Sequence, residues 1–192
     1  MELVFATNNL HKLEEAQQII GSQFYLKSLS DIGCIDDIPE TGTSFKENAS
    51  QKSQYIFERY RLSCFADDSG LQVDALHGEP GVYSARYSGT RDSEQNLSLV
   101  LEKLGNNTHR SARFITVISL ILNGKEYFFE GIVEGHIAHQ PLGKQGFGYD
   151  PIFIPKGYDT TFAELDVLEK NRMSHRAKAM QRLIEFLNHA KY

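Results

Sequence analysis

The stretch A-R-F-I-T-V-I-S-L-I-L-N-G-K-E-Y-F-F-E-G-I-V-E, residues 112–134, decides how the chain is read. Ala112 to Leu122 is rich in Phe, Ile, Thr and Val, side chains that fit a pleated, half-buried surface. Asn123-Gly124 is the strongest short hairpin signal, because a two-residue type I′ turn needs positive φ at both positions. Glu126 to Glu134 then returns as the partner strand. An antiparallel hairpin is therefore expected in the second half of the chain, and its surroundings decide what sheet it joins.

Toward the N-terminus, strands and helices alternate. Leu3 to Ala6 reads as a short buried strand, broken by Thr7-Asn8-Asn9. Lys12 to Ile20 reads as a helix with Leu13, Ala16, Gln17 and Ile20 at helical spacing and Gly21 as its stop. Phe24 to Leu29 is a second strand, and Asp31 to Gly42 a loop holding Asp36, Asp37 and Glu40. Phe45 to Tyr60 is a long helix with Phe45, Ala49, Lys52, Ile56 and Tyr60 on one side; Ser44 and Glu47 stand at capping-box spacing. Asp92 to Leu104 is another helix. Beyond the hairpin, a further strand is expected near His136-Ile137-Ala138 and a flexible loop over Gly143 to Gly148. Ile152-Phe153-Ile154 comes next as a strand, and a last helix from about Ser174 buries Ala177, Met180, Leu183, Ile184 and Leu187. Strands interleaved with helices, plus one hairpin, make an α/β fold with a mixed sheet.

Composition narrows the function classes. A chain of 192 residues, 41% hydrophobic and 23% charged, builds one domain over residues 1–192 with a core of its own. It has no segment near the roughly 20 apolar residues of a membrane span and no secretory pattern at the N-terminus. Two cysteines, Cys34 and Cys64, make neither a disulfide framework nor a zinc cluster, so a cytoplasmic address is expected. The formal charge of −5 argues against a broad nucleic-acid face but not against a small anionic ligand.

The chemistry concentrates in F-A-D-D-S-G-L-Q-V-D-A-L-H-G-E-P-G-V-Y-S-A-R-Y-S-G, residues 65–89. A strand is expected to stop at Asp67 and Asp68, with Ser69-Gly70 as a turn before a second run, Leu71, Val73, Ala75. Neighbouring strand side chains point to opposite faces, so one carboxylate is held by backbone donors while the other faces a cleft. Two acids there suit either a Mg²⁺ or general-base site or an Asp-Ser-Gly turn with capping carboxylates, and the stretch alone leaves both open. Upstream, strand, polar turn and helix aim helix N-terminal amides at a phosphate. Lys12 in the first helical turn opposes the helix dipole, which makes sense if an anion sits there; an Asn cap with a surface lysine reads equally well. Elsewhere, Lys12, Lys52 and Lys170 are phosphate-type cations and Glu40 and Asp68 are Mg²⁺-type oxygen ligands. Phe147, Tyr149, Asp150, His175 and Arg176 offer an aromatic face with donors and acceptors for base edges.

With these residues in place, the chain resembles the inosine triphosphate pyrophosphatase family, the noncanonical purine nucleoside triphosphate pyrophosphatases. The motifs are F-A-T-N-N-L-H-K (5–12), P-E-T-G-T-S-F-K-E-N-A (39–49), the acidic stretch (66–89), G-F-G-Y-D-P-I-F (146–153) and S-H-R-A-K-A (174–179), in family order along nearly the whole length. The resemblance implies an elongated α/β domain of two lobes around a mixed sheet, an active cleft between them, and a homodimer. It implies phosphate contacts at Thr7, Asn9 and Lys12, with Asn8 standing where many relatives have glycine. Asn tolerates the left-handed backbone a glycine would adopt. It further implies Mg²⁺ at Glu40 and Asp68, Asp68 as proton acceptor, and substrate contacts at Ser69, Phe147, Gly148, Tyr149, Asp150, Lys170, His175 and Arg176. Lys52 matches a phosphate-facing lysine more loosely.

The implied reaction is hydrolysis of ITP, dITP or XTP to the monophosphate and pyrophosphate. Asp67 is expected to face away from it and to tolerate Asn better than Asp68 does. Arg176, with five donors and no acceptor, suits a C6 oxygen and opposes an amino group. Two alternatives stand beside this one: a pyrophosphatase for other modified nucleotides, and a nucleotide-binding regulator without turnover. F-G-Y-D and S-H-R count against the first; intact Asp68, Glu40 and Lys12 count against the second.

Overall fold

The computed structural model describes residues 2–22 and 24–189. In chain order it runs β1 (Glu2–Phe5), α1 (Leu10–Ile20), β2 (Tyr25–Lys27), α2 (Phe45–Tyr60), β3 (Cys64–Val73), α3 (Ser93–Leu104), β4 (Ser111–Leu122), β5 (Lys125–Ile137), β6 (Phe153–Pro155), α4 (Val167–Met173) and α5 (His175–His189). The strands form one six-stranded sheet in the order β2-β1-β3-β4-β5-β6. β1 pairs in parallel with β2, Leu3 opposite Leu26, and with β3, Phe5 opposite Phe65. β6 lies antiparallel to β5, His136 opposite Ile154. The sheet is mixed, as expected.

Local chemistry explains the elements that place the site. Asn9 caps α1, its side chain accepting the Lys12 amide. Ser44 and Glu47 close the expected capping box on α2, satisfying amides that the first helical turn leaves open. The hairpin forms at Asn123 and Gly124, with φ of 52° and 77°.

The structure departs from the sequence reading in five places. β2 is three residues rather than six, and shortly after it the chain enters a 3-10 turn over Ser30–Ile32. There is no turn at Ser69-Gly70: β3 runs unbroken from Cys64 to Val73, both acids inside it. Asp67 and Asp68 bind side chains rather than capping a turn, so the strand has no reason to stop. The separate strand near His136 is the end of β5, where β6 pairs. α4 carries exposed Val167 and Leu168 and no apolar periodicity, so its sequence shows no helical stripe. Finally, the loop over Gly143 to Gly148 is pinned: the Lys144 and Gln145 amides both donate to the Ala163 carbonyl, at 3.1 and 3.0 Å. A Cβ on Gly143 would lie 2.3 Å from that carbonyl, so only glycine permits the approach.

The chain divides into two compact units. The first comprises residues 1–68, 116–131 and 176–192; the second comprises 69–115 and 132–175. In the first, Leu3, Phe5, Phe65, Ile118, Met180 and Leu183 share a core, with Phe5 stacked on Phe65 at 4.4 Å. A second cluster there joins Val4, Ile56, Cys64 and Ala66. In the second unit, Leu71, Val100, Phe114, Phe153 and Phe162 pack together.

Leu183 is fully buried and Ile35 is 95% exposed. Leu183→Ala is expected to lower unfolding free energy by about 2–5 kcal/mol, measured by urea denaturation. Ile35→Ala should stay within about 0.5 kcal/mol of wild type.

Candidate active site

In the first unit, β3 brings its two acids to a cluster of cations. Asp67, 1% exposed, accepts from Lys12 Nζ at 3.0 Å on Oδ1. Its Oδ2 accepts from Nε and Nη2 of Arg176, both at 3.2 Å. Arg176 Nη1 is paired with Glu15, and the Asp67 carbonyl accepts from Lys52 Nζ at 2.6 Å. Lys52 is in turn ion-paired with Glu40. Asp68 points to the other face of the strand, where Asn48 Nδ2 donates to its Oδ2 at 2.9 Å.

The two neighbouring acids are driven apart electrostatically. Burial raises the pKa of Asp67, but Lys12, Arg176 and Lys52 outweigh it and hold the carboxyl well below the usual range. For Asp68 burial wins, and its carboxyl is pushed above its ordinary value against the pull of Lys52, Lys12 and Asn48. Glu40 is also buried, yet Lys52 and Lys12 keep it below the usual range. Lys12 is itself lowered, by burial first and then by Lys52 and Arg176, while Asp67 resists. Adjacent carboxyls with opposed shifts are the pattern that separates a permanent anion from a proton acceptor. Here Asp67 has the first character and Asp68 the second.

Charge balance says what else this cluster accepts. Lys12, Lys52 and Arg176 stand against Glu15, Glu40, Asp67 and Asp68, three cations against four carboxylates. Added positive charge would ease the approach of a polyphosphate to that arrangement. Glu40 and Asp68 offer hard oxygen donors of the kind Mg²⁺ takes, and Mg²⁺ commonly uses only one or two carboxylates, with water and substrate phosphate completing its shell. Among the described residues there is no group of three or more His, Cys, Asp or Glu placed to hold a metal by themselves. The donor set fits an ion that arrives with a phosphate.

The turn before α1 falls where expected. The Thr7 hydroxyl accepts the Asn9 amide at 3.2 Å, and Asn9 Oδ1 accepts the Lys12 amide at 3.2 Å. Asn8 is exposed. It does not use the left-handed backbone: outside glycine, the positive-φ residues among those described are Arg61, His77 and Asn123. Lys12 is ion-paired with the Asp67 carboxylate.

The second unit holds the other predicted residues, and Ser69 sits half-buried at its start. Asp150 Oδ2 accepts from the Phe147 amide at 2.8 Å and from Lys170 Nζ at 2.7 Å. Lys170 Nζ lies 5.0 Å from the Phe147 ring centre. Lys170, expected as a phosphate cation, is thus tied to the F-G-Y-D segment. A Cβ on Gly146 would lie 2.1 Å from Asp150 Oδ2, so this turn too needs glycine. Half-buried Gly148 comes after Phe147, and buried Tyr149 donates its hydroxyl to the Ser84 carbonyl at 2.7 Å. The His175 ring stacks on Phe114, 4.6 Å apart and 8° from parallel. The next residue, Arg176, belongs to the first unit, where three of its N–H groups meet carboxylates.

Three residues in these arrangements escaped the sequence reading as site residues. Asp67 holds Lys12 and Arg176, where backbone donors had been expected. Glu15 lies three residues after Lys12 on α1, and Asn48 four before Lys52 on α2. Residues three or four apart share a helix face, so spacing from the two lysines would have found both.

This changes the expectation for Asp67. Asp67→Asn leaves Arg176, 2% exposed, and Lys12 without their shared counter-charge. Breaking one side of such a buried pair costs about 3–5 kcal/mol, and chemical denaturation should show a loss of that size. A loss under about 1 kcal/mol would mean that the clamp does not carry the stability assigned to it.

Known proteins resemble this chain along nearly its whole length. The model of the Ham1 family matches residues 3–186. The dITP/XTP pyrophosphatase of Flavobacterium johnsoniae is 50% identical over 192 residues, 100% of both chains. That of Bacillus subtilis is 44% identical over 191 residues, 97% of this chain and 96% of the other. The structure of the Staphylococcus aureus Ham1 protein superposes with a TM-score of 0.91 at 41% identity, covering 100% of each chain. The nucleoside-triphosphatase / dITP/XTP pyrophosphatase structure from Mycobacterium abscessus gives 0.78 at 42% identity, covering 95% of this chain and 98% of that one. The chain belongs to the Ham1 family.

Proposed function

We propose that this protein hydrolyses dITP, ITP and XTP to the nucleoside monophosphate and pyrophosphate, clearing them from the nucleotide pool. The observation that carries the reading is the gathering of Lys12, Lys52 and Arg176 around Asp67, with Asp68 next to it on the strand. Relatives called dITP/XTP pyrophosphatase match across nearly the whole chain. A triphosphate repels the nucleophile that must attack it, and Lys12 and Lys52 offset that repulsion at the phosphate oxygens. Asp68, raised in pKa by burial, takes the proton of an attacking water about 3 Å away. Glu40 and Asp68 would hold Mg²⁺, which supplies positive charge to the phosphate oxygens when bound. Phe147 offers its ring to the base, and Asp150 with Lys170 fixes the segment that carries it. Cytoplasmic residence, which rests on the two-cysteine count, and a homodimer, which rests on the family resemblance, belong to the same proposal. No helix among the described residues is long and apolar enough to cross a membrane.

The test is pyrophosphate release from ITP, dITP, XTP, ATP and GTP, with Mg²⁺ and with a chelator. Turnover of the first three should exceed that of ATP and GTP and stop on chelation. Asp68→Asn should lower kcat about 10²- to 10⁴-fold, the usual contribution of a positioned proton acceptor, with the melting curve unchanged. Release of single phosphate, or equal turnover of ATP and ITP, would overturn the assignment.

A further inference from the structure

One conspicuous part of the P-E-T-G-T-S-F-K-E-N-A segment is its asparagine. Asn48 lies on the buried side of α2, 1% exposed, one turn before Lys52. Both ends of its amide are engaged. Oδ1 accepts from the Gly42 amide at 2.8 Å, and Nδ2 donates to Asp68 Oδ2 at 2.9 Å. The Gly42 N–H only donates and an ionised carboxylate only accepts, so the amide has one orientation in which both contacts form. The loop is pressed against α2 at this point: a Cβ on Gly42 would lie 2.6 Å from Glu47 Cβ and 2.8 Å from Asn48 Oδ1. Glu40 stands two residues before Gly42, on the strand-to-helix loop that this contact anchors.

We propose that Asn48 is a positioning residue for the hydrolysis, a bracket that fixes the Asp68 carboxylate and the Glu40 loop relative to one another. The inference rests on the roles proposed for Asp68 and Glu40 in that reaction. Asp68 sits on a strand and Glu40 on a loop without regular structure, and α2 supplies the side chain that reaches Asp68 and, at the Gly42 amide, that loop. Neutral Asn fits this place because it gives Asp68 a donor without a competing charge. Lys at the same position would pair with Asp68, and Asp would repel it.

The two arms are separable. Asn48→Asp keeps an acceptor for Gly42 and replaces the donor to Asp68 with a like charge; Asn48→Ala removes both. Groups that orient a functional carboxylate are worth about 10- to 100-fold in activity. Both variants are expected to lose kcat for ITP by that factor, Asp no less than Ala, with KM within threefold of wild type. Calorimetric binding of α,β-methylene-ITP, which cannot be cleaved there, should also stay within threefold, and the melting curve should place both variants folded at the assay temperature. If Asn48→Asp is not folded there, the Ala variant alone decides. Three results would overturn the proposal: kcat within threefold of wild type, Asp restoring what Ala loses, or loss of analogue binding in step with kcat. The last two would make Asn48 an anchor for the loop alone. Failure of the broader functional reading is distinguishable, because it shows in the wild-type protein itself, as release of single phosphate or as equal turnover of ATP and ITP.

Discussion

A carboxylate taken out of water in the middle of a strand must be compensated, and in this protein that carboxylate is Asp67. Its exposure is 1%, and an isolated ion there would be neutralised or expelled. Lys12 and Arg176 meet its oxygens from α1 and α5, while Lys52 of α2 meets its carbonyl. Three helices of the first unit are thereby tied to one residue of the central strand. Each of these cations is also among the residues that the sequence marks for substrate. Stability and the proposed function draw on the same charges, and the cluster cannot be loosened at one point without disturbing the others.

The alternation of a β-strand turns this constraint into a division of labour. Because successive side chains face opposite ways, Asp68 makes none of the direct contacts by which Lys12 and Arg176 hold Asp67. It feels Lys52 and Lys12 only at longer range, and receives a neutral amide from Asn48. Burial then acts on it with less opposition, and its proton affinity rises where that of Asp67 falls. One strand thus presents two identical side chains with different chemistry. Neither the composition nor the length of D-D-S-G distinguishes them; the partners do.

Much of the architecture is legible in the sequence because it depends on local rules. Ser44 and Glu47 announce the start of α2, and Asn123-Gly124 announces the hairpin, since only a few residue types satisfy those backbone positions. The errors come from tertiary pairing overriding local signals. Ser69-Gly70 is a turn signal, yet β3 passes through it, because contacts distant in sequence hold Asp67 and Asp68 extended. α4 has no apolar stripe to declare it: Val167 and Leu168 face outward, and its buried residue is Lys170, held by Asp150. A lysine is an unlikely core residue until its carboxylate is known, twenty positions upstream. The candidate residues were legible by type, as cations and acids, and their partners were not, since pairing is decided by the fold.

The same pairing alters what the predicted cations do. A lysine in water is a charge ready for any anion, at the cost of ordering a long side chain. Lys12, Lys52 and Lys170 are already held, by Asp67, Glu40 and Asp150 respectively. A phosphate meeting Lys12 or Lys52 therefore competes with a carboxylate for a cation whose position is fixed. The net gain per contact is smaller than for an unpaired lysine, but the ordering has taken place during folding. That exchange suits a reaction in which charge grows on a departing pyrophosphate. A ligand with little charge competes poorly with the resident carboxylates, and one with more charge competes better as bond cleavage proceeds. A held cation thus favours the later stage over the first encounter, which is the condition for accelerating a reaction rather than merely binding its substrate.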